Sequence, residues 1–553
     1  MGLPTFDIEA MDWTDPIAVG FTTNGVNYRE FLKTSPDTDV IWAFLDSIKE
    51  DCFGMAIYAH NAGNYDNKFI LDSLIKHGQK IKLEAGLGRI VWLDHEIFFE
   101  DSLLVVGTSL KTLCSAFDVP RKLEWDHETT KDIWDLGARL DSFRAYLKRD
   151  VISLSIAMEE YCKGVIRNFG VTPGATLSLT AVKAFNNNFF PVKAIHSNEE
   201  FEKFIRLATY GGRNEVYHRI GEDLNLYDIR SMFISCYDTP IPIGEMDWRS
   251  PKIECGSLAE AKVEVPKGTF IGPLPYRIGD TLAFPTGRFK GWWDMVDLRR
   301  AETSGTKVKL LRQLECEEVS ILKDFGEYVS ALRYSSPNLD QGKLWKLFGI
   351  RLSGKFGQHR WRTEIVHSDD IIDFNGYTPL DISEEYHERA EYLKGSKAPY
   401  VKPAVAMRIR AEARGRHYEF LTSCNPYYCD TDSIHTTEEL PLGSKSGELQ
   451  LIGKALRAYY IRCKLYGYVD LEGHMKQRAA GFHDFRLTEY DFQRLLQGED
   501  IEHTTKPLNR WRQILAQEGM TPGRVPRRAR GLSRSDNRVI TGIDTEPIHV
   551  EDW

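Results

Sequence analysis

The sequence predicts a multidomain fold, in which an α/β domain precedes an α+β body. At 553 residues, the chain is too long for a single hydrophobic core. Short β-like runs alternate with helical patterns up to about residue 165, and a polar stretch with Gly and Pro follows at 168–174. Strands, a basic helix and a hairpin come after it, separated by loops. We therefore expect domains at 1–165, 166–476 and 477–553.

The composition is that of a globular protein rather than a disordered one, with 42% hydrophobic and 12% aromatic residues. The net charge of -9 does not exclude nucleic-acid binding, because clustered carboxylates can coexist with basic grooves. Five arginines near the C-terminus fit such a groove or a solvated basic surface equally well: Arg524, Arg527, Arg528, Arg530 and Arg534.

The cysteines and the N-terminus bear on the cellular compartment. Nine cysteines without a C-x-x-C pair favour free thiols in a reducing environment and argue against a zinc site. The first ten residues lack a signal-peptide pattern, and no uncharged apolar run reaches ~18 residues. We expect a cytoplasmic protein, in the host cell if the source is viral, with no membrane contact.

Strands are expected at 56–59, 90–93 and 97–99, and a helix at 141–161 closes the first domain. Asp7 and Glu9 alternate on a further strand, so both point to one side. Asp66 stands near a helix start, and Tyr146 and Asp150 lie one helical turn apart. Four carboxylates can hold two divalent ions, while Tyr146 could orient a water. Separately, each pattern also fits an exposed strand or a solvated helix face.

A second group of acids occurs in the body. Asp430 and Asp432 stand at the tip of a predicted hairpin, 427–436, where two like charges are costly unless cations are bound. Asp228 ends a strand, 224–228, whose alternation places it on the face of Leu224 and Leu226. Three acids from two strands predict a two-metal site for phosphoryl transfer.

The basic helix at 341–357 supplies the cation that a triphosphate requires. At 3.6 residues per turn, Lys346, Ile350, Ser353 and Gly357 share one face. We expect that face to look at the nucleotide.

These motifs, in this order, resemble family B DNA polymerases. Asp228-x-x-Ser231 with Phe233, Lys346 spaced from Gly354, Tyr428-x-Asp430-Thr431-Asp432, and Lys464-x-Tyr466 carry the resemblance. The segments 210–213 (Tyr-Gly-Gly-Arg) and 273–277 (Pro-Leu-Pro-Tyr-Arg) are similar to the protein-primed branch found in linear-genome phages, adenoviruses and linear plasmids. The N-terminal acids resemble the DEDD exonuclease of proofreading polymerases.

The resemblance implies an RNase H-like DEDD exonuclease domain followed by a right-hand polymerase with palm, fingers and thumb. The implied function is DNA-directed DNA synthesis with 3′–5′ proofreading, replicating a linear viral or plasmid genome by protein priming. Primer-template DNA, deoxynucleoside triphosphates and a terminal protein are the implied partners of a monomeric chain. Two other interpretations stay open: a nucleic-acid-binding scaffold without synthesis, and a polymerase that extends primers without a terminal protein.

The resemblance also implies roles for individual residues. Two Mg²⁺ or Mn²⁺ ions per active site would be held by Asp228, the Ile229 carbonyl and Asp432, with Asp430 assisting, and by Asp7, Glu9, Asp66 and Asp150. Substrate would be contacted by Ser231, Phe233 as a steric gate against ribose, Lys346, Ile350, Ser353, Gly354, Lys464 and Tyr466. DNA would be contacted by Asn61, Phe69, Ser109, Leu110, Tyr210, Gly211 and Gly212.

Some positions depart from the family pattern or remain ambiguous. Ile350 and Ser353 replace the usual Asn and Tyr, and Ile234 replaces Pro. The Tyr-to-Ser change removes a ring that would pack on the nascent base pair, which predicts a looser pocket. Lys464 and Tyr466 could instead be a surface pair on a helix. The segment at about 359–400 resembles in position an insertion for strand displacement, or it is an exposed loop.

After Lys476, a helical, basic thumb is expected, with Arg510, Trp511 and Arg512 near each other, or else a packed helical cap.

Overall fold

The computed structural model describes residues 2–11, 14–120, 123, 125, 134–371, 373, 375, 377–380, 383–480, 485–505, 511–515, 525–532 and 537–552. Arg510, Arg524 and Arg534 lie outside these residues. Over the described ranges, no helix has the length and apolar character needed to cross a bilayer.

The N-terminal part alternates strands and helices, as expected. Its elements are β1 (Thr5–Met11), β2 (Asp15–Thr22), β3 (Tyr28–Leu32), α1 (Val40–Ile48), β4 (Ala56–Ala59), α2 (Asp66–Lys76), β5 (Ile81–Glu84), β6 (Arg89–Trp92), β7 (Ile97–Asp101), α3 (Ser102–Val106), α4 (Leu110–Ala116) and α5 (Leu140–Phe169). The expected strands are confirmed. The closing helix is longer than expected because it continues to Phe169, where Gly170 ends it with a positive φ of 64°.

The middle of the chain forms an α+β body. Its elements are α6 (Leu177–Asn188), α7 (Glu202–Leu207), β8 (Asn214–Val216), β9 (Ile220–Ile229), α8 (Met232–Ser235), β10 (Ile241–Pro242), β11 (Asp247–Arg249), β12 (Leu258–Val265), β13 (Tyr276–Ile278), β14 (Thr281–Ala283), β15 (Thr286–Asp294), α9 (Met295–Thr303), β16 (Lys307–Glu315), β17 (Glu318–Val319), α10 (Lys323–Ser335) and α11 (Leu339–Phe356). The predicted strand and basic helix are thereby confirmed as β9 and α11.

The segment at 359–400 is a hairpin rather than an exposed loop. Its strands are β18 (Trp361–His367), β19 (Tyr377–Leu380) and β20 (Ser383–Tyr392). β18 pairs with β5 through Ile365 and Leu83, so the hairpin extends the N-terminal sheet to the order β19-β20-β18-β5-β6-β7-β4-β1-β2-β3. Ile365 and Tyr386 are buried in the core of the N-terminal domain, which explains why this segment is folded.

The remaining elements complete the body and the C-terminal part. They are α12 (Pro403–Thr422), β21 (Pro426–Asp430), β22 (Ser433–Thr436), β23 (Leu449–Arg462), β24 (Leu465–Val469), β25 (Met475–Ala479), α13 (Glu489–Leu496), β26 (Ile501–Thr505), α14 (Trp511–Leu515), β27 (Val525–Ala529), β28 (Arg538–Thr541), β29 (Asp544–Pro547) and β30 (His549–Glu551). A seven-stranded sheet in the order β25-β24-β23-β9-β22-β21-β8 unites the strands that carry the predicted acids.

The expectation of a helical segment after Lys476 is wrong for the described residues, which contain more strands than helices. α13 packs its Phe492 and Leu495 against β24 and the β26–β27 pair. α14 lies on the N-terminal domain, where Ile514 and Leu515 join the core. The Arg512 guanidinium lies over the Trp511 ring and forms an ion pair with Glu388 of β20. This arginine therefore contacts other parts of the protein.

Candidate active sites

The β21–β22 hairpin presents Asp430 and Asp432 at its tip. Asp430 pairs with Ser433, and Thr431 adopts a positive φ of 62° to make the turn. The Thr431 N–H donates to the Arg213 carbonyl at 2.7 Å. This bond fixes the tip against the chain that leads into β8.

Asp228 lies beside this tip on the neighbouring strand. It pairs with Ser433 across β9 and β22, and the Ile229 N–H donates to the Asp432 carbonyl at 2.8 Å. Gln450 of β23 donates to the Asp228 carboxylate at 2.9 Å. The sheet therefore brings the three acids of the body together, as the synthetic site requires.

The carboxylates of this site disfavour one another. Burial and the neighbouring Asp228 carboxylate raise the pKa of Asp432 to about 6, and Lys346 opposes this effect. Burial also raises the pKa of Asp228, against the lowering effects of the Gln450 hydrogen bond and the Lys346 charge. Oxygen donors crowded at such a cost fit a hard divalent cation, which would relieve the repulsion.

Several cations face these acids, and three of them act on Asp228: Lys346, Arg230 and Arg333. Lys346 of α11 acts on both Asp228 and Asp432, as expected from the sequence. Arg333 of α10, which the sequence analysis did not select, also acts on Asp228 and donates to the Ser231 hydroxyl. No local pattern distinguishes Arg333 from other helical arginines, because its partner lies on a distant element.

The other residues expected at the nucleotide differ in exposure. Phe233 and Ile350 are half-buried against the main core, and Gly354 is exposed with open space where a Cβ would be. Ser353 is 8% exposed, and its side chain hydrogen-bonds Tyr237.

Tyr237 in turn donates to the Gly349 carbonyl at 2.8 Å. A Cβ at Gly357 would lie 2.8 Å from that of Ala406 in α12. The end of the expected face at Ser353 and Gly357 therefore packs on the body. This corrects the expectation that the whole face looks at the nucleotide.

Lys464 and Tyr466 belong to a β-hairpin, so the alternative of a surface pair on a helix is wrong. Lys464 lies at the β23–β24 tip with a positive φ of 62°, and its ammonium is 3.9 Å from Asp430. Tyr466 is buried, with its ring 4.7 Å from that of Tyr428. The Tyr428 hydroxyl accepts the Lys464 N–H at 3.2 Å, which fixes the lysine beside the acids.

An open cleft of about 1260 Å³ extends from Asp228, Asp430 and Asp432 toward α13. Four cationic side chains line it: Lys464, Lys476, Arg478 and Arg486. The same lining also contains the carboxylates of Asp228, Asp430, Asp432 and Glu489. The four cations offset these charges and suit the phosphates of a nucleic-acid duplex.

The Tyr-Gly-Gly-Arg segment lies directly beside the hairpin tip. Gly212 leaves room for Thr431, and Arg414 donates to the Tyr210 and Gly211 carbonyls. The Tyr210 ring is only 4% exposed and lies under Arg277. A direct DNA contact by this ring does not fit the structure, because the side chain belongs to the core.

The acids of the N-terminal domain surround Tyr146. Burial raises the pKa of the Tyr146 hydroxyl, and the nearby carboxylates of Glu9 and Asp7 on β1 and of Asp150 on α5 raise it further. Asp66 reaches the same strand from α2, since its Oδ1 accepts the Ile8 N–H at 3.0 Å. Burial, reinforced by Glu9 and Asp101, raises the pKa of Asp66 to about 7. These are again crowded oxygen donors that fit divalent cations.

Asp101 is a further acid that the sequence analysis did not select. It ends β7, accepts the Gly63 N–H at 3.1 Å and caps α3 by accepting the Leu103 N–H at 2.9 Å. Asn61 has a positive φ of 63°, so the carboxylate holds a tight loop in place. The neighbouring Ser102 is bonded to His60 at 3.0 Å. An acid at the end of a buried strand was the available signal.

Three expected DNA contacts, Phe69, Ser109 and Leu110, have other surroundings. Phe69 is 2% exposed in the domain core, and the half-buried Tyr65 ring meets it edge-on at 5.2 Å. Burial and the nearby Glu9, Asp66 and Asp7 raise the pKa of Tyr65. Because Tyr65 is only half-buried, it is better placed than Phe69 to contact the end of a DNA strand. Ser109 caps α4 by accepting the Thr112 N–H, and Leu110 packs against the main core.

The family model described as DNA polymerase type B, organellar and viral, matches residues 53–143 and 140–439. The chain belongs to this family. The matched region includes Asp66 and the Asp228, Asp430 and Asp432 triad.

Curated relatives agree with the family. The chain is 24% identical over 503 residues to a probable DNA polymerase of Podospora anserina, covering 76% of this chain and 41% of the relative. It is 24% identical over 514 residues to one of Neurospora intermedia, covering 75% and 51%. This chain thus spans about half the length of these relatives, or less.

The fold is that of Phi29 DNA polymerase. The structure of that enzyme with primer-template DNA and incoming nucleotides superposes with a TM-score of 0.69 at 17% identity, covering 96% of this chain and 100% of the other. Its complex with single-stranded DNA gives a TM-score of 0.68 at 17% identity, with 94% and 98% covered. An exonuclease-type domain followed by a right-hand polymerase is therefore the architecture of this family B chain, as the resemblance implied.

Proposed function

We propose that the chain is a DNA-directed DNA polymerase that carries a 3′–5′ exonuclease. The observation that supports synthesis most strongly is the meeting of Asp228, Asp430 and Asp432 opposite Lys346. Asp228, Asp432 and the Ile229 carbonyl would hold two Mg²⁺ or Mn²⁺ ions, with Asp430 assisting. When bound, such ions supply charge neutralisation and activation of a hydroxyl.

The protein groups around this site have complementary tasks. Lys346 and Arg333 would bind the triphosphate of an incoming deoxynucleotide. Phe233 would lie beneath the sugar and exclude a 2′-hydroxyl, and Lys464 would hold the primer end near Asp430. The cationic side chains of the cleft would bind the primer-template duplex through its phosphates, without sequence preference.

The exonuclease proposal rests on Asp7, Glu9 and Asp150, which lie near Tyr146, and on Asp66, which accepts an N–H from the strand that carries Asp7 and Glu9. These four acids would hold a second pair of divalent ions. The Tyr146 hydroxyl, close to Glu9, would orient the attacking water. Asn61 and Tyr65 precede Asp66 in the chain and would grip the single-stranded primer end.

We further propose that the enzyme replicates linear viral or plasmid DNA from a terminal protein, as a monomer in the cytoplasm of the host cell. The family's viral and organellar description and the motifs at 210–213 and 273–277 support this proposal. The nine free cysteines support a reducing compartment.

The test uses the purified full chain, Mg²⁺ and an end-labelled primer-template. Wild type should extend the primer with deoxynucleotides and degrade it without them. Asp432→Asn should degrade but not extend, and Asp66→Asn should extend but not degrade. Failure of wild type to extend would favour the scaffold interpretation.

Priming needs its own assay. Transfer of a labelled deoxynucleotide onto a Ser, Thr or Tyr of a partner protein would support the terminal-protein start. Extension of DNA primers without any such transfer would favour a polymerase that uses no terminal protein.

A further inference from the structure

Helix α11, which carries Lys346, begins at a residue that also bonds the N-terminal domain. We propose that this residue, Asn338, is a positioning residue: it clamps α11 onto helix α4 and so sets the enzyme's apparent affinity for the incoming nucleotide. The inference rests on the proposed polymerase function and concerns the control of that site by the exonuclease-type domain.

The oxygen and the nitrogen of the Asn338 side-chain amide form hydrogen bonds in different domains. Its Oδ1 accepts the Gln341 N–H at 2.9 Å and caps α11. Its Nδ2 donates to the carbonyls of Ser115 and Ala116, each at 3.2 Å. Those carbonyls close α4, where helix C-termini leave acceptors without intrahelical partners. Asp and Ser cap a helix about as well as Asn. The amide differs because it accepts through its oxygen and donates two N–H groups through its nitrogen, whereas a carboxylate donates none and a hydroxyl donates one.

Aromatic packing supports the same junction without fixing its position. The Trp345 ring lies against Gly164, and Phe348 stacks on Phe169 with centroids 4.6 Å apart and an interplanar angle of 20°. Gly164 and Phe169 belong to α5, the helix that also carries Asp150. Apolar contacts are non-directional and tolerate sliding, whereas the two amide hydrogen bonds define one register of α11 on α4.

The register matters because of where Lys346 lies. It follows Asn338 by about two helical turns, and in this pose its charge acts on Asp228 and Asp432. Without the clamp, the pose would be one of several, and the apparent nucleotide affinity would fall in proportion to its population. Saturating nucleotide would restore the pose, so KM should change while kcat should not.

The experiment compares Asn338 variants that keep or lose the cap. Asn338→Ser keeps a cap acceptor but replaces the two N–H donors with one hydroxyl on a shorter side chain. Asn338→Asp keeps the acceptor, loses both donors and adds repulsion from the two carbonyls. Both should raise the deoxynucleotide KM by about fivefold to tenfold, the effect of losing one or two hydrogen bonds, with kcat and single-strand degradation close to wild type. Asn338→Ala loses cap and clamp, and should add a loss of stability.

Asp39→Ala is the matched control. Asp39 caps α1 by accepting the Trp42 N–H at 2.9 Å on the far side of the N-terminal domain sheet from α5. It should lower the free energy of unfolding like any lost cap and leave the nucleotide KM unchanged.

Unchanged KM in both Asn338→Ser and Asn338→Asp would overturn the clamp. So would an equal loss of synthesis and degradation that merely follows the free energy of unfolding. If wild type itself incorporates no nucleotide, the proposed function fails and the clamp with it. Incorporation by wild type together with an unchanged KM in the variants defeats the clamp alone.

Discussion

Gly212 lies so close to Thr431 that a Cβ added to the glycine would come within 2.8 Å of the threonine Cγ2 and 2.9 Å of its Oγ1. Thr431 is the turn residue between the two acids of the hairpin. The absence of a side chain at 212 therefore decides where Asp430 and Asp432 stand.

Gly212→Ala should displace the hairpin tip and reduce primer extension by about 100-fold, because small misplacements of reacting groups have effects of that order. Degradation of single-stranded DNA should persist, since the exonuclease-type site is in another domain. The comparison variant is Gly211→Ala. Among the described residues, its Cβ would meet Leu282 alone, at 3.7 Å, so the reduction in primer extension should be smaller. Equal extension by wild type and Gly212→Ala would contradict this reading of the contact.

Arg333→Ala should raise the deoxynucleotide KM by about tenfold or more, the usual effect of removing one charge-assisted contact to phosphate. Steady-state incorporation on a fixed primer-template measures this. Lys343→Ala is the matched control, because Lys343 is exposed on the adjoining helix, where it pairs with Asp340 at 3.0 Å. A parallel change in both variants would point to general charge rather than to Arg333.

Phe233→Val should admit ribonucleotides, because the smaller side chain leaves space beneath the sugar for a 2′-hydroxyl. The measured quantity is the ratio of kcat/KM for a deoxynucleotide to that for the matching ribonucleotide. Deoxynucleotide incorporation by the same variant reports whether the site remains intact. A ratio equal to that of wild type would remove Phe233 as the steric gate.

Asp101→Asn should weaken the exonuclease and spare the polymerase. The carboxylate accepts the Gly63 N–H, from the loop that carries Asn61, and the Leu103 N–H, and an amide cannot accept both equally well. The expected loss is about 10- to 100-fold in single-strand degradation, the range for residues that orient groups around metal ions. The exposed Asp94→Asn provides the control, and an undiminished rate in Asp101→Asn would rule out this positioning role.

Acid should destabilise the body through two buried histidines. Burial, with the charge of Arg213, lowers the pKa of His417 to about 3, and burial lowers the pKa of His435 to about 3. Between the ordinary histidine pKa and these values, the unfolded chain binds protons that the folded chain does not. Stability is therefore present above about pH 6.5 and is lost as the pH falls, by about 1 kcal/mol for each histidine between pH 6.5 and 5.5.

Urea unfolding at these two pH values measures the loss. His417→Gln should be less stable at neutral pH, because it disturbs a buried contact with the Ser433 carbonyl. Its further loss between the two pH values should be smaller than that of wild type. An identical pH dependence in both proteins would exclude His417 as a contributor.

Local patterns located the acids correctly because their signals are short-range. Alternation on β1 and β9, the hairpin tip at Asp430 and Asp432, and one turn of helix between Tyr146 and Asp150 all lie within a few residues. The bounds of α11 followed for the same reason. A short-range pattern does not show which side chains will be covered by distant parts of the chain. Tyr210 and Phe69 were therefore expected to contact DNA, although both are buried.

Folding brought together residues that lie far apart in the chain. Arg333 meets Ser231 from another helix, Asp101 holds a loop beside its strand, and Asn338 joins α11 to α4. Long-range pairing also gave the described residues after Lys476 more strands than helices, and it joined the strands of 359–400 to the N-terminal sheet. The sequence by itself determined the chemistry, since acids at strand ends and hairpin tips are read from periodicity. The partners were decided by packing, because a hydrogen bond or buried ring depends on which surfaces meet.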